Sequence, residues 1–363
     1  MGVDKSNPRR TANAIAVDGE AGWPGWVDSL AVRRLQEAIR SERIGHAYLV
    51  SGPPGVGKTA TAQAFAQALC CTDQARSDPA TPCGLCRACR NVQRGVHPDV
   101  ESFSLDTQAM LADKPGGASA LSIDTVRRLR SAGALFPLES NRRILIVDDA
   151  ETMLEAAQQA LLKTLEEPPL AVTLILLADE PDSLLETVRS RCQEVPIRPI
   201  PQAVVADTLL RRGVQGPLAS EIAMLSRGSA GWALAAVADK KVLDARREER
   251  ASAARWIASP RYEQLVTAFK FGDQFSKRRS EVIGIVQAAI QLLRDDMIAA
   301  AQAAGQATER SPESSMAAQL TLSLSRAIAA TLQCLSDLDS NVRPRLALEA
   351  MVVAWPNSEL QGL

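Results

Sequence analysis

The sequence predicts an α/β region built on a parallel sheet, followed by a helical region. Three observations lead to this prediction. A phosphate-loop motif lies between an apolar run and a helical pattern, further apolar runs alternate with helical patterns, and prolines at 196, 199 and 201 mark the point where strand signals stop. The predicted segments are a flexible arm at 1–22, a nucleotide-binding domain at 23–200, a small helical domain at 201–242 and a helical domain at 243–363.

The phosphate-loop motif fits the pattern of glycine, four residues, glycine, lysine and a hydroxyl residue. Its glycines let backbone N–H groups point at phosphates, Lys58 reaches the β- and γ-phosphates, and Thr59 holds Mg²⁺. An apolar run at 47–50 precedes the motif, and the helical pattern at 60–69 turns its N-terminus toward the phosphates. We expect ATP or ADP with Mg²⁺ to be held by Gly52, Pro53, Pro54, Gly55, Val56, Gly57, Lys58 and Thr59.

A second apolar run, at 144–147, ends in the acid pair Asp148 and Asp149. Such a run is typical of a parallel strand buried on both faces, and ligands of open α/β sheets bind at the carboxyl ends of the strands. We therefore predict that Asp148 organises the Mg²⁺ ion and that Asp149, a weak Walker B acid, has the catalytic role of positioning the attacking water. A helix cap is the alternative for an acid pair in this place, and the upstream phosphate loop disfavours it.

The sequence contains seven cysteines, and four of them form a cluster. Two consecutive two-residue gaps bring Cys83, Cys86 and Cys89 around one centre, and a longer gap returns Cys71 as the fourth ligand. Cys70 is the alternative first ligand. The pattern predicts a structural Zn²⁺ site within 71–89, because no histidine, open position or neighbouring base accompanies it.

Composition restricts the partners. Forty-one Lys and Arg residues stand against 42 Asp and Glu residues, for a net charge of −1, so no global field attracts nucleic acid. A DNA contact then requires a local patch, for which Lys163 is the candidate, or contact through partner proteins. Apolar runs fall short of the ~18 residues that span a bilayer, and the polar start differs from a signal peptide. We expect a soluble, cytoplasmic protein with no membrane contact.

The helical patterns beyond residue 243 are amphipathic. One stripe contains Val282, Val286, Ala289, Leu293 and Met297, and a second contains Leu320, Leu324, Ala327, Thr331 and Leu335. We predict a loop at 303–315 between these two helices. The stripes fit either a self-contained bundle or a surface that assembles subunits.

In this order, the motifs resemble the AAA+ clamp-loader subunits of the bacterial replicative polymerase, DNA polymerase III, over nearly the whole chain. The resemblance implies a RecA-like AAA+ domain with a zinc-binding insertion, a small helical lid domain at 201–242 and a helical collar domain at 243–363 that closes five subunits into a ring. The segments that carry the resemblance are His46-Ala47-Tyr48-Leu49, the four clustered cysteines, His97-Pro98-Asp99, Leu161-Leu162-Lys163-Thr164-Leu165-Glu166-Glu167-Pro168-Pro169 and Ser190-Arg191-Cys192.

Within this family, three departures distinguish the chain from the gamma/tau motor subunits. Gly231 stands where the motor is expected to carry an arginine that reaches the γ-phosphate, the strand end near Ala178 lacks a hydroxyl or amide sensor, and Asp149 replaces a glutamate. The chain length also leaves no room for the extra domains of a full-length tau form. These features favour the delta prime branch, with weak or absent hydrolysis of its own.

The delta prime resemblance implies a role in DNA replication. Arg191 would be an arginine finger, donated in trans to the ATP of a neighbouring subunit, with Arg189 as a less favoured second contact. The implied partners are gamma/tau and delta subunits in a hetero-pentameric ring, the sliding clamp, and primer–template DNA reached through the complex. The alternative is a gamma-type motor that hydrolyses ATP with Lys58, Thr59, Asp148 and Asp149.

Overall fold

The computed structural model describes residues 22–25, 29–111, 119–169, 171–306, 312–339 and 342–356. The predicted arm at 1–22 lies outside these ranges except for its last residue. The chain divides into two compact units between Asp239 and Lys240. In the described ranges, no helix has the length and apolar character to cross a membrane.

The N-terminal unit is built on a five-stranded parallel sheet, which confirms the predicted α/β class. The strand order is β2-β3-β4-β1-β5, so β1 lies between β4 and β5. Every residue of β1, β3 and β4 is buried, as expected for strands covered on both faces. The strands are β1 (Ala47–Ser51), β2 (Val100–Phe103), β3 (Arg143–Val147), β4 (Val172–Ala178) and β5 (Gln193–Pro196).

Helices connect these strands and cover the sheet, because parallel neighbours require crossover connections. They are α1 (Ser29–Arg40), α2 (Lys58–Cys70), α3 (Arg87–Gln93), α4 (Leu105–Leu111), α5 (Ile123–Gly133), α6 (Glu155–Glu166) and α7 (Glu186–Arg189). One apolar core joins β3 and β4 to α5 and α6, with Leu145, Leu161 and Leu176 fully enclosed. The crossovers leave the loops after β1, β3 and β4 at a common edge of the sheet.

Three short helices complete the N-terminal unit. They are α8 (Gln202–Arg211), α9 (Gly216–Ser226) and α10 (Ala230–Ala238). Proline at 201 precedes α8, where its fixed φ suits a helix start. Ser229 caps α10 by accepting a hydrogen bond from the backbone N–H of Trp232.

The C-terminal unit is helical, as predicted. Its helices are α11 (Lys240–Ala258), α12 (Arg261–Gln306), α13 (Pro312–Asp339) and α14 (Pro344–Val353). Helix α12 is kinked at Arg278, whose φ of −127° departs from helical geometry. Both predicted apolar stripes pack into its core. The predicted loop at 303–315 is too long, because α12 continues to residue 306 and α13 begins at 312; residues 307–311 lie outside the described ranges.

Candidate functional site

The phosphate loop begins where β1 ends. Hydrogen bonds from Gly52 N to Ala178 O and from Ile197 N to Ser51 O tie it to the two strands beside β1. Gly52 has a φ of 149°, and a Cβ there would lie 2.2 Å from the carbonyl oxygen of Ile197. Glycine is therefore required at this position for both backbone conformation and space. The loop ends at Gly57, the residue before α2, so the N-terminus of α2 opens onto it as predicted.

Lys58 is the first residue of α2, and its side chain is 8% exposed. Its Nζ donates hydrogen bonds to Gly52 O at 2.7 Å and Pro53 O at 3.1 Å. It also forms an ion pair with Asp179, whose Oδ1 lies 2.5 Å away. Sequence reasoning missed Asp179, although an acid directly after the apolar run of β4 repeats the signal that identified Asp148.

Thr59 and Asp148 come together as the motif requires. Thr59 Oγ1 donates to Asp148 Oδ2 at 3.3 Å, which links the start of α2 to the end of β3. A hydroxyl and a carboxylate are ligands that Mg²⁺ takes beside nucleotide phosphates, so the pair fits that ion. Burial raises the pKa of Asp148, although the N–H of Asp149 and the charge of Lys58 act in the opposite direction.

The second acid of the pair, Asp149, occupies the left-handed backbone region with a φ of 56°. Its N–H donates to Asp148 Oδ1 at 3.0 Å, and it begins a short 3₁₀ turn at Ala150–Thr152. This turn brings a further acid, Glu151, to the same edge, where Glu151 Oε2 accepts from Asp179 N at 3.3 Å. The ends of β3 and β4 thus present several carboxylates around the phosphate loop.

The start of α10 lies against the phosphate loop. Gly231 N donates to Gly55 O at 3.0 Å, and a Cβ built on Gly231 would lie 3.0 Å from that same oxygen. A Cβ on Gly55 would lie 2.3 Å from Ser229 Oγ. Position 231, where the motor subunits are expected to carry arginine, therefore contacts the loop directly through its backbone.

The four predicted cysteine ligands, Cys71, Cys83, Cys86 and Cys89, form one cluster, with their sulfur atoms within 4.8 Å of one another. The Sγ of Cys71 lies 3.6 Å from that of Cys83 and 4.0 Å from that of Cys86, and Cys83 and Cys89 are also 4.0 Å apart. Zn–S bonds of ~2.3 Å in a tetrahedron place sulfur atoms about 3.8 Å apart. The cluster therefore has the dimensions of a Cys₄ zinc site.

Backbone N–H groups already point at two of these sulfur atoms. Cys86 N donates to Cys83 Sγ at 3.3 Å, and Cys89 N donates to Cys86 Sγ at 3.4 Å, where Cys86 caps α3. Such bonds stabilise thiolates, the form that binds metal. Cys70 is the last residue of α2 and lies outside the cluster; burial raises the pKa of its thiol to about 12. The geometry favours Cys71 over Cys70 as the first ligand.

Arg191 lies just before β5, and its side chain is 37% exposed. Its guanidinium forms an ion pair with Glu166 at 2.8 Å, and its Nη1 donates to Thr187 O at 3.0 Å. Because β5 runs parallel to β1, the start of β5 lies at the edge of the sheet opposite to the phosphate loop. Arg191 and Lys58 are therefore not parts of one pocket.

The other two basic candidates differ in their surroundings. Arg189 pairs with Asp182 at 2.5 Å and with Glu194 at 3.7 Å. Lys163 is an exposed residue on the surface of α6. Neither is brought into the nucleotide site.

The segment His97-Pro98-Asp99 is an anchor of the fold. Asp99 is fully buried and accepts hydrogen bonds from the N–H groups of Leu138, Glu139 and Ser140, and from the Ser140 hydroxyl. Burial opposes ionisation of Asp99, but these bonds outweigh it and lower its pKa. The pairing joins segments about forty residues apart, and nothing in the sequence pattern predicts it.

A family model described as DNA polymerase III, delta subunit, matches residues 27–201, which contain the phosphate loop, the cysteine cluster and Arg191. The matched segment makes up a little under half of the chain. The resemblance drawn from the motifs is thereby confirmed. The matched region ends before the three helices α8 to α10.

Two curated relatives represent the two branches of the family. DNA polymerase III subunit gamma/tau of Mycobacterium bovis is 36% identical over 177 residues, 49% of this chain and 28% of the relative. DNA polymerase III subunit delta' of Pseudomonas aeruginosa is 35% identical over 202 residues, 53% of this chain and 58% of the relative. The chain thus matches between about a quarter and three fifths of the length of these relatives.

Among solved structures, the chain is similar to a gamma subunit-related protein of DNA polymerase III from Thermotoga maritima. The TM-score is 0.39 at 17% identity, and the match covers 89% of this chain and 97% of that one.

Proposed function

We propose that this chain is a delta prime-type subunit of the DNA polymerase III clamp loader. In this role it holds nucleotide at its own phosphate loop with little or no turnover. It donates Arg191 to the ATP of a neighbouring gamma/tau subunit during ATP-driven loading of the sliding clamp on primed DNA. The whole assembly would be a hetero-pentameric ring with delta, and its DNA contacts would be made largely by other chains.

The observation that carries this proposal is the position of Arg191. It precedes β5, whereas the phosphate loop follows β1, and the two strands are parallel. At ~3.3 Å per strand residue, the four residues of β5 separate Arg191 from the level of the loop by about 13 Å. An arginine at that edge cannot serve the phosphates bound in its own chain. A guanidinium is always charged and binds phosphate oxygens bidentately, which suits it to a neighbour's nucleotide.

The nucleotide pocket of this chain supports the proposal that nucleotide is bound with little or no turnover. Lys58 and Thr59 are intact, so Mg²⁺ and the phosphates of ATP or ADP have ligands. Asp149 is one methylene shorter than the glutamate of the motor, and Gly231 offers no side chain to a γ-phosphate. Bound nucleotide would hold the loop and the start of α10 in one conformation.

The alternative function is that of a gamma-type motor, and the 36% identity to the gamma/tau relative supports it. Under that alternative, Lys58, Thr59, Asp148 and Asp149 would form a complete hydrolytic set in this chain. The cysteine cluster does not distinguish the two functions, because its Zn²⁺ would be structural in both.

The deciding experiment is the DNA- and clamp-stimulated ATPase of the reconstituted loader, with Arg191→Ala, Lys58→Ala and Arg189→Ala in this chain. A trans arginine finger contributes about 10³–10⁵ in rate at the site that receives it. We expect Arg191→Ala to abolish turnover at one neighbouring site and Lys58→Ala to leave turnover near normal. Arg189→Ala tests the less favoured second contact, and we expect its turnover to be close to wild type because Arg189 is paired with Asp182 and Glu194. Loss with Lys58→Ala and no effect of Arg191→Ala would establish the motor instead.

A further inference from the structure

We propose that Asp179 determines the phosphate preference of the pocket and makes it favour nucleoside diphosphate over nucleoside triphosphate. This inference rests on the nucleotide pocket of the proposed function. It concerns a residue that neither the phosphate-loop pattern nor the acid pair after β3 includes.

The position of Asp179 follows from the sheet. It is the first residue after β4, and the last residue of β4 is paired with the last residue of β1, so Asp179 lies beside the start of the phosphate loop. Gly52 N donates to the carbonyl oxygen of Ala178, the residue before Asp179. The carboxylate is therefore placed by two hydrogen-bonded strands.

The Asp179 carboxylate places a negative charge next to Lys58, the residue whose ammonium group would bind phosphate. Its Oδ1 lies 2.5 Å from Lys58 Nζ, and the two side chains are 14% and 8% exposed. In a phosphate loop this ammonium group faces the β- and γ-phosphates. A bound triphosphate must therefore share Lys58 with Asp179 or displace it, in a place where little water is present to screen the charges.

Two further acids add to the negative charge near the phosphate loop. Asp148, partnered with Thr59, and Glu151, which accepts from Asp179 N, lie at the same edge. Mg²⁺ offsets part of this negative charge for either nucleotide, but a γ-phosphate brings additional charge to the same edge. A diphosphate avoids that cost and still uses the loop N–H groups and the N-terminus of α2.

The test is isothermal titration calorimetry of the full-length chain with MgATP and with MgADP. Asp179→Asn removes the charge and keeps the size of the side chain. Glu180→Gln is the control, since it removes the same charge from the adjacent, exposed residue. A neighbouring charge at this range changes the equilibrium constant for ionisation of a group by about tenfold or more.

We expect the wild type to bind MgADP more tightly than MgATP. Asp179→Asn should bind MgATP about tenfold or more tightly than wild type, with a smaller gain for MgADP, and Glu180→Gln should match wild type. Asp179→Ser is a second variant in case the asparagine protein does not fold, and a thermal melt reports folding of each.

An unchanged ratio of the two affinities in folded Asp179 variants, with nucleotide still bound, would overturn this inference and leave the pocket in place. Absence of binding to either nucleotide in both the wild type and the variants would overturn the inference and the nucleotide pocket together. The ATPase effect of Arg191→Ala is independent of both results.

Discussion

Glu166 Oε1 lies 2.8 Å from Arg191 Nη2, and the Thr187 carbonyl accepts from the other terminal nitrogen of the same guanidinium. This pair joins the end of α6 to the turn before β5 and fixes the direction of the arginine. Both side chains are more than one third exposed, so the pair contributes little to folding. We expect the ion pair to act by orienting the Arg191 side chain.

We therefore predict that Glu166→Ala lowers the ATPase of the reconstituted loader several-fold while the free energy of unfolding changes by less than about 1 kcal/mol. Steady-state ATPase and urea denaturation measure the two quantities. Glu167→Ala is the control, because it removes an adjacent exposed acid. Equal ATPase in the two variants would show that Arg191 needs no orienting partner.

The cysteine cluster predicts that about one equivalent of zinc copurifies with the chain. Cys71→Ala and Cys86→Ser should each lose the metal and lower the melting temperature, because the energy of metal binding contributes to folding. Metal content by mass spectrometry and a thermal melt are the measurements.

Cys70→Ala is the matched control for Cys71→Ala, since the two cysteines are adjacent and only Cys71 lies in the cluster. We expect Cys70→Ala to retain the zinc. Loss of zinc in Cys70→Ala with full retention in Cys71→Ala would reverse the assignment of the first ligand. A metal-free wild type of unchanged stability would remove the zinc site altogether.

The buried carboxylate of Asp99 predicts a pH dependence. Its pKa is lowered from the ordinary value of 3.8, since burial raises it less than the bonds from 138–140 lower it. A lowered folded-state pKa contributes stability that is complete above the unfolded value and is lost as the pH falls through the folded value. We predict that Asp99→Asn lowers the free energy of unfolding at pH 7 by roughly 2–3 kcal/mol.

The measurement is urea denaturation of wild type and Asp99→Asn from pH 7 to pH 2.5. The difference between them should be constant above about pH 5 and should shrink below the ordinary value of 3.8. Asp124→Asn is the control, because Asp124 is an exposed acid paired only with the exposed Arg127 among the contacts described. If the difference in the free energy of unfolding stays constant down to pH 2.5, Asp99 does not act through its charge.

The contact between α10 and the phosphate loop predicts different costs for two glycine substitutions. Gly55 and Gly95 have similar left-handed conformations, with φ of 77° and 69°. A Cβ on Gly95 meets nothing within 4 Å, whereas one on Gly55 meets Ser229 Oγ at 2.3 Å. Gly95→Ala should lower the free energy of unfolding by roughly 1–2 kcal/mol, because alanine is strained in the left-handed conformation. Gly55→Ala should lower it further and weaken nucleotide binding. Equal melting temperatures for the two variants would contradict this contact.

The local features of the fold were predictable from the sequence. The run at 144–147 gave β3 to within one residue, because a strand covered on both faces must be continuously apolar. The phosphate loop was placed correctly between β1 and α2, since its glycines have backbone conformations that few other residues adopt. Short cysteine spacing likewise predicted one cluster.

Contacts between distant segments were not predictable. Lys58 and Asp179 are 121 positions apart, and they meet only because β4 is the neighbour of β1. Asp99 likewise accepts hydrogen bonds from the segment before β3, about forty positions further along the chain. The loop predicted at 303–315 was too long, because its composition of small and polar residues does not stop α12 before residue 306.

The opposite placement of Lys58 and Arg191 on a parallel sheet gives the subunit a direction. The phosphate loop follows β1 and Arg191 precedes β5, so the two groups lie at opposite ends of neighbouring strands. Under the proposed function, such a chain would join its neighbours head to tail, with one face that gives a cation and another that receives one. A row of subunits built this way has a first and a last member that are chemically unlike.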